Sequence, residues 1–552
     1  MELFSVDKRK NIILAVVFLL TVFLITFHFT DTPNVWVDEG VFTETAKNLA
    51  TQGRLALQTA PNEFFSMRSF LLSTSYPVIF PVALSIKLFG TGIVQARVTM
   101  LIYMFLLVLV FYLFTKKRYG FYPAILSVLL LLSFSPFYGN GRPVQGEVPG
   151  LFFLVLGSYF LLLLEESDFQ NKKWAVFSGL AFGLSASVKP IFLLGVTLSL
   201  FFSLLLWFRK NPTPGIGVIK NRGSLAFFGL GFIPPILLWM YITVPTFTEL
   251  LKFVPNLLYF SGSHNSSTSV AQTIITNLLR FLTESTPILF SFLSIFIFAS
   301  FIYKTGHLAI LVAKLSRYWR WWHQGCYFGR GGGLRRHYFT PPILVASHEV
   351  FSASNKFKKE KSVFSISECV IFSFILLNLV GYLKGTGWYR YFFPAHTLLY
   401  LFFPISILYS REYFENKVIK KILSIIPIAL IIFQTYHLIF LSDTSFVVNR
   451  RRTFELSKAL GEINSSQKVI FYNTIEAEIF LKSNNYSQYL TLGGFLEAGN
   501  KDILSNPDVD FILTNGSEND NLTLSCYGKK PISQYILYER NPKCLNSYDK
   551  TH

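Results

Sequence analysis

Two adjacent carboxylates, Asp38 and Glu39, follow the first apolar segment of the chain. Phe42, Ala46 and Leu49 come next at helical spacing, which predicts that both acids lie in the first turn of a helix beside the bilayer. A carboxylate in that position can act as a general base at a cleft open to lipid. A solvated acid at the membrane surface is the alternative interpretation.

Three further ionisable residues lie next to apolar segments. Lys189 stands between two apolar runs, where a charge is costly enough to suggest a function, although snorkelling from a helix end is the alternative. Arg390 follows Trp388 and Tyr389, a combination that is also typical of an interfacial belt. Glu147 lies in a short segment between apolar blocks, where an ordinary loop acid is equally expected.

The composition places these residues in a membrane protein. Of the 552 residues, 51% are hydrophobic and 59 are Phe, which an ordinary soluble domain of this length does not bury. The apolar blocks are roughly 17 to 21 residues long, as membrane-crossing helices require, whereas barrel strands are about half as long. Eleven transmembrane helices are predicted, at residues 11–30, 98–115, 121–138, 148–164, 174–189, 190–208, 224–243, 286–303, 363–382, 391–409 and 421–441.

The charge pattern predicts the orientation of these helices. The formal net charge is +19, and the basic residues cluster in alternate loops, which is typical of membrane topology and does not indicate nucleic acid binding. The N-terminus and the basic loop 304–362 are therefore predicted to be cytoplasmic in a multi-pass plasma-membrane protein. Loop 304–362 either docks on anionic membrane lipids or is a linker. Loop 31–97 is predicted to face outward and to contain helices lying in the interface.

The remainder of the chain, residues 442–552, is predicted to form a small extracytoplasmic α/β domain. Short β-rich runs at 468–472, 509–514 and 535–538 alternate with helical stretches at 475–482 and 494–504. Cys526 and Cys544 both lie in this part of the chain, so a disulfide between them is predicted, with two unpaired thiols as the alternative.

Several motifs in the membrane part, residues 1–441, share a known pattern. They are Asp38-Glu39 with Ala46, Leu49 and Gly53, then Tyr76-Pro77, Leu88-Phe89-Gly90, Arg97, the segment 183–190 ending in Lys189-Pro190, and Arg390-Tyr391 with Pro394. In these motifs the sequence resembles the GT-C glycosyltransferases, within them the branch of protein O-mannosyltransferases and lipid A aminoarabinose transferases. The fold class expected is thus a polytopic α-helical, GT-C-like membrane domain with the small outer α/β domain.

The resemblance implies a sugar donor on a polyprenyl phosphate and inversion at the anomeric carbon. It assigns Asp38 as the base, supported by Glu39, and a lipid, glycan or protein hydroxyl as the acceptor. Cations would stabilise the leaving phosphate. The residues predicted to bind that phosphate are Arg68, Arg97, Arg142, Lys189 and Arg390, and those predicted to hold the acceptor or support the site are Glu147, Tyr76 and Tyr391. No metal ligands and no required cofactor are predicted, and a divalent metal is left open.

The sequence departs from the family pattern before Tyr76, where residues 66–71 lack the usual Lys-Pro-Pro-Leu, so whether Arg68 replaces that lysine is open. The tail has no Trp-Trp-Asp-Tyr-Gly, which disfavours oligosaccharide transfer en bloc. A flippase or other transporter is the alternative function, although two related halves with broken spans, usual in transporters, are not evident. A catalytically inactive scaffold is the third possibility.

Overall fold

The computed structural model is a helical bundle followed by a sheet domain. The residues that it describes are 2–68, 73–210, 217–244, 248, 269–304, 364–385, 387–442, 451–492, 496–504, 509–516 and 526–541. Loop 304–362 lies outside these ranges except for its first residue, and Cys544 also lies outside them. The lipid-docking and disulfide hypotheses therefore stay predictions.

A helix occurs at each of the eleven predicted spans. Eight helices in the described ranges are long and apolar enough to cross a membrane, or nine if one bent pair is a single span. The bundle helices are α1 (Glu2–Thr26), α4 (Ile93–Tyr119), α5 (Phe121–Ser133), α6 (Ser135–Gly141), α7 (Glu147–Glu166), α8 (Lys172–Ala186), α9 (Pro190–Lys210), α10 (Gly217–Thr243), α12 (Ser285–Lys304), α13 (Ile366–Lys384), α14 (Tyr389–Tyr413) and α15 (Lys417–Tyr436).

The predicted span 121–138 is the bent pair. Helices α5 and α6 meet at an angle of 68° instead of forming one continuous helix. Pro136 occupies the first turn of α6, where its missing N–H is tolerated, whereas in one continuous helix its ring would clash with the carbonyl of Leu132. The predicted span at 121–138 therefore consists of two helices with a bend between them.

Loop 31–97, the predicted first outer loop, contains more structure than the predicted interfacial helices. It contains α2 (Val37–Gln52), an antiparallel hairpin of β1 (Ala56–Ala60) and β2 (Glu63–Ser66), and α3 (Tyr76–Phe89). Helix α2 begins at the acidic pair as expected and ends at Gly53, whose φ of 68° is a left-handed conformation that glycine adopts readily. Helix α3 is apolar but has only 14 residues.

The C-terminal domain is a mixed sheet in the strand order β5-β4-β3-β6-β8-β7. Its elements after α16 (Arg451–Gly461) are β3 (Val469–Tyr472), β4 (Tyr486–Leu492), β5 (Leu496–Ala498), β6 (Phe511–Asn515), β7 (Tyr527–Ile532) and β8 (Tyr535–Arg540). The three predicted strands are confirmed, and Ile475–Phe480 is a 3-10 helix. The helical prediction for 494–504 is wrong in its first half, since β5 pairs there with β4.

The most buried helices lie at the centre of the bundle and position the site. In an apolar 18-residue stretch of α14, 89% of the residues are buried inside the protein. The same share is 72% in α7 and 67% in α4, whereas it is only 17% in α1. Arg390 begins α14, Glu147 begins α7 and Arg97 lies near the start of α4. These three ionisable residues therefore lie at one end of the bundle, on its most buried helices. Close packing of those helices limits the movement of the three side chains.

Candidate active site

The centre of the site is an ion pair between Asp38 and Arg390. The guanidinium Nη1 of Arg390 donates to a carboxylate oxygen of Asp38 at 2.5 Å. The two side chains are 29% and 19% exposed, so the pair is accessible but largely shielded. Helix α2 therefore directs the predicted base towards one of the predicted phosphate-binding cations, and a charge-assisted hydrogen bond joins them.

Glu39 faces away from this pair although it is the next residue. Its two carboxylate oxygens accept hydrogen bonds from Nε and Nη2 of Arg97, each at 2.7 Å, and both side chains are fully buried. Successive side chains on an α-helix point about 100° apart, so one acid reaches the cleft and the other reaches the bundle. Glu39 thus anchors α2 to α4.

A second ion pair joins Glu147 and Lys189 at 2.5 Å, and both side chains are at least nine-tenths buried. Gly146 leaves room for the Lys189 side chain, because a β-carbon at residue 146 would lie 2.8 Å from Cγ of Lys189. The second oxygen of Glu147 accepts no hydrogen bond from the described residues, and its carboxylate interacts electrostatically with Arg390. The two ion pairs are therefore neighbours in one charged cluster.

Aromatic rings surround the Arg390 guanidinium. Its central carbon lies 5.0 Å from the ring centre of Trp36, 4.8 Å from that of Trp388 and 5.0 Å from that of Tyr391. The Tyr391 hydroxyl also accepts a hydrogen bond from Nη2 of Arg390 at 3.1 Å. Nε of Arg390 is buried and donates to no described residue, so part of its donor capacity is unused.

An open cleft of about 510 Å³ lies beside Arg390. Arg280 and Glu284, which lie at 3.2 Å from each other, form part of its wall, and Arg280 also donates to the carbonyl of Gly387. The lining residues are Trp36, Arg280, Glu284, Gly387, Trp388, Tyr389 and Arg390.

Sequence reasoning missed Arg280, which lies in the last turn of α11 (Val270–Thr283). Ile275, Leu278, Leu279 and Leu282 recur at helical spacing in this segment and are exposed, so an amphipathic helix was recognisable from the sequence. Such a helix at the membrane surface presents its polar face, with Arg280, away from the lipid.

Two of the predicted phosphate-binding arginines brace the end of the first span. Arg142 donates to the carbonyls of Leu24 and Phe27, each at 2.9 Å, and to Thr32. Arg97 donates to the carbonyls of Phe29 and Pro33 in addition to Glu39. Both side chains are fully buried, and these contacts support a structural role for them, so their phosphate contact stays a prediction without support from the geometry.

Two other predicted residues lie away from the central ion pair. Arg68 is exposed at the end of the hairpin and makes no hydrogen bond or ion pair with Asp38 or Arg390 in the described ranges. Tyr76 begins α3, is buried, and donates its hydroxyl to the carbonyl of Pro235 on α10 at 3.2 Å. In the described part of the chain, His, Cys, Asp and Glu form no group of three or more that could hold a metal ion.

The bundle, loop 31–97 with its acidic pair and the C-terminal sheet domain define the chain as a protein with the GT-C fold, and the predicted resemblance to this class is confirmed. Residues 77–243 match the family model of dolichyl-phosphate-mannose-protein mannosyltransferase. The chain is similar to ArnT from Cupriavidus metallidurans in the apo state, at 10% identity and a TM-score of 0.52 over 97% of this chain and 98% of that one.

The structure of the same ArnT bound to undecaprenyl phosphate matches at 9% identity and a TM-score of 0.50, over 96% and 97% of the two chains. The oligosaccharyltransferase AglB from Archaeoglobus fulgidus, in complex with an inhibitory peptide and a dolichol-phosphate, gives 13% identity and a TM-score of 0.48 over 97% of this chain and 75% of that one. At these identities the similarities to ArnT establish the fold alone. No curated protein matches the chain by sequence.

Proposed function

We propose that the protein is an inverting glycosyltransferase that moves a sugar from a polyprenyl-phosphate donor to a hydroxyl acceptor at the outer membrane face. The observation that carries this proposal is the Asp38–Arg390 pair at the edge of a cleft with a second arginine, Arg280, in its wall. A base beside cations is the arrangement that transfer from a phosphate-linked sugar requires.

In the proposed reaction, Asp38 accepts the proton of the acceptor hydroxyl. The acceptor oxygen forms a bond to the anomeric carbon from the side opposite the phosphate, and the bond between that carbon and the phosphate oxygen breaks. The bonding electrons leave with the polyprenyl phosphate, whose developing charge Arg390 and Arg280 stabilise. Because phosphate is already a good leaving group, no strong general acid is needed.

In this proposal, Arg390 binds first the Asp38 carboxylate and then the donor phosphate. Without donor, its guanidinium binds the Asp38 carboxylate, and its buried Nε has no described acceptor. The donor phosphodiester is a competing anion with two non-bridging acceptor oxygens, so it draws the guanidinium away from the carboxylate. Donor binding would thereby free Asp38 to act as a base.

The neighbouring pair has a supporting role in this proposal. Glu147 is held by Lys189 and interacts with Arg390, and its second oxygen is unused in the described ranges. An oxygen of this kind can orient a hydroxyl of the acceptor or of the sugar. The proposed carrier class is supported by the ArnT structure, which contains undecaprenyl phosphate, while the sugar and the acceptor are left open.

Asp38→Asn tests the mechanism because asparagine keeps the shape of the side chain and loses its basicity. Membranes containing this variant should transfer radiolabelled sugar from a polyprenyl-phosphate donor roughly 10²- to 10⁴-fold more slowly than wild type. Asp31→Asn is the matched control, since Asp31 lies in the same loop, is 28% exposed and has a side chain that bonds to His28 and Thr30 in the described structure.

Transfer by Asp38→Asn at the wild-type rate would overturn the mechanism. Movement of the donor across the bilayer without any sugar transfer would instead support the flippase. Equal losses in Asp38→Asn and Asp31→Asn would show that the loop is sensitive to any change of charge, and would remove the assignment of Asp38 as the base.

A further inference from the structure

Helix α2, which carries Asp38, lies directly on the C-terminal domain. A β-carbon added at Gly40 would be 2.6 Å from both Cα and N of Glu476 and 2.9 Å from the carbonyl carbon of Ile475. Distances this short are not sustained between real atoms, and the obstructing atoms are backbone. Only glycine therefore permits the contact, which lies two residues after Asp38.

A buried ion pair forms the second contact between α2 and this domain. Lys47 on α2 donates to Glu478 in the 3-10 helix, and the two side chains are 6% and 1% exposed. A buried pair of this kind is costly to break by removing one partner, because an uncompensated charge is left behind. Lys47 and Gly40 are seven residues apart, or about two helical turns, so both contacts lie on one face of α2.

Glu44 lies between these two positions and forms the third contact. Its carboxylate accepts hydrogen bonds from the backbone N–H of Gln58 at 2.8 Å, the hydroxyl of Tyr486 at 2.9 Å and the side-chain amide of Gln488 at 3.0 Å. Gln58 belongs to the β1–β2 hairpin, and Tyr486 and Gln488 belong to β4. This carboxylate thus joins α2, the first outer loop and the sheet.

A different side of α2 is held by the membrane bundle, through Glu39 and Arg97. The helix has only 16 residues, and an isolated helix of that length is marginally stable in water. Its position relative to Arg390 is therefore fixed by tertiary contacts on two sides, one in the bundle and one in the C-terminal domain.

We propose that the C-terminal domain is a positioning element that holds α2, through Gly40, Lys47 and Glu478, so that the Asp38 carboxylate meets Arg390. The proposal rests on the function proposed above and adds a role for a domain that contributes no residue to the ion-pair cluster or the cleft wall within the described ranges. A displacement of about 1 Å in a catalytic group can cost about 10²-fold in rate, so the positioning residues act on kcat.

A double-mutant cycle at Lys47 and Glu478 tests the proposal. The variants Lys47→Met and Glu478→Met each leave a buried charge without its partner, and each should lower kcat about tenfold or more with little change in the donor KM. The double variant Lys47→Met/Glu478→Met restores neutrality and should recover kcat to within about threefold of wild type. Gly40→Ala should lower kcat as well, because its methyl group displaces α2.

Glu368→Gln is the matched control for a general loss of stability. Arg118 donates to Glu368 at 2.8 Å, and Glu368 is fully buried. Arg118 and Arg97 are 21 residues apart on α4, about 30 Å along the helix, so this pair is remote from Asp38. At an equal loss of thermal stability, Glu368→Gln should keep its kcat while Glu478→Met loses it.

Hydrogen exchange measured by mass spectrometry gives a second readout that needs no activity. Glu478→Met should raise exchange in residues 37–52 and leave exchange in the buried helix α14 unchanged. Raised exchange with unchanged kcat, or equal losses of kcat in Glu478→Met and Glu368→Gln, would overturn the positioning role. Absence of transfer in wild type would overturn the proposed function instead, and unchanged exchange would then show that the domain does not hold α2.

Discussion

At the scale of single residues, the two consecutive acids at the start of α2 take different positions. Asp38 is partly exposed and pairs with Arg390, whereas Glu39 is fully buried and pairs with Arg97. Their chemistry is nearly the same, so the environment makes the difference. A fully buried carboxylate with a bidentate arginine is a structural anchor, while a shielded but accessible one is available to a substrate.

Glu44 gives the protein a predicted dependence of stability on pH. Burial, with the neighbouring Glu478 adding to it, raises the pKa of Glu44 from 4.5 to about 8, although Lys47 opposes the shift. The folded protein therefore keeps this proton up to about pH 8, while the unfolded chain loses it near pH 4.5. Stability contributed by this group is complete below pH 4.5 and is lost as the pH rises towards 8.

Glu44→Gln should remove this part of the pH dependence, because glutamine imitates the protonated acid. Between pH 5 and pH 8, the unfolding temperature of the purified wild type should fall by on the order of 5 °C more than that of the variant. Glu497→Gln changes an exposed acid of the C-terminal domain and should leave the wild-type profile intact. Parallel profiles for wild type and Glu44→Gln would contradict the raised pKa.

At the scale of elements, α11 shows how a surface helix completes the cleft. Its apolar side is exposed, as expected of a helix lying against lipid, and Arg280 lies in the cleft wall. The buried Asn277 attaches α11 to the end of α13, since its side-chain amide donates to the carbonyls of Tyr382, Leu383 and Gly385 at 3.0 to 3.1 Å. One asparagine thus caps the end of α13 and fixes the helix that carries Arg280.

Asn277→Ala should therefore weaken donor binding without removing a group that contacts the donor. The three carbonyls lose a buried donor, which costs roughly 1–3 kcal/mol, and Arg280 loses its fixed position. We expect the donor KM for sugar transfer to rise more than kcat falls. Thr283→Val is the control on the same helix, because its hydroxyl bonds only within α11 in the described structure. An unchanged donor KM in Asn277→Ala would contradict a role of α11 in donor binding.

At the scale of the whole molecule, the charged cluster and the C-terminal domain lie at the same end of the bundle. The cluster residues Asp38, Arg390 and Glu147 lie at that end, and α2 contacts the C-terminal domain there. The basic segment Lys116–Arg118 lies at the other end of α4 from Arg97. If basic loops are cytoplasmic, the cluster and the domain are both outside.

Cysteine labelling on intact cells tests this orientation. In a variant whose four native cysteines are replaced by serine, Lys482→Cys in the C-terminal domain should react with a membrane-impermeant maleimide. Glu415→Cys, in the exposed connection between α14 and α15, should react only after permeabilisation. The reverse pattern would place the site in the cytoplasm and contradict transfer at the outer face.

The sequence alone determined the helices, the acidic start of α2 and the three strands at 468–472, 509–514 and 535–538. Apolar length, periodicity and turn residues are local signals, so they predict local structure. The same locality explains the error at β5, whose pairing with β4 depends on contacts that the local pattern does not contain. The bend at Phe134, by contrast, follows the local signal of Pro136.

Only the tertiary structure decided which cation meets Asp38. Arg390 is 352 residues away along the chain, and the arginines at 97 and 142, which had equally suitable positions in the sequence, use their donors on buried backbone carbonyls. A side-chain hydrogen bond across such a distance leaves no periodic pattern in the sequence. Its partners are chosen by helix packing and by the contacts that hold α2 against the C-terminal domain.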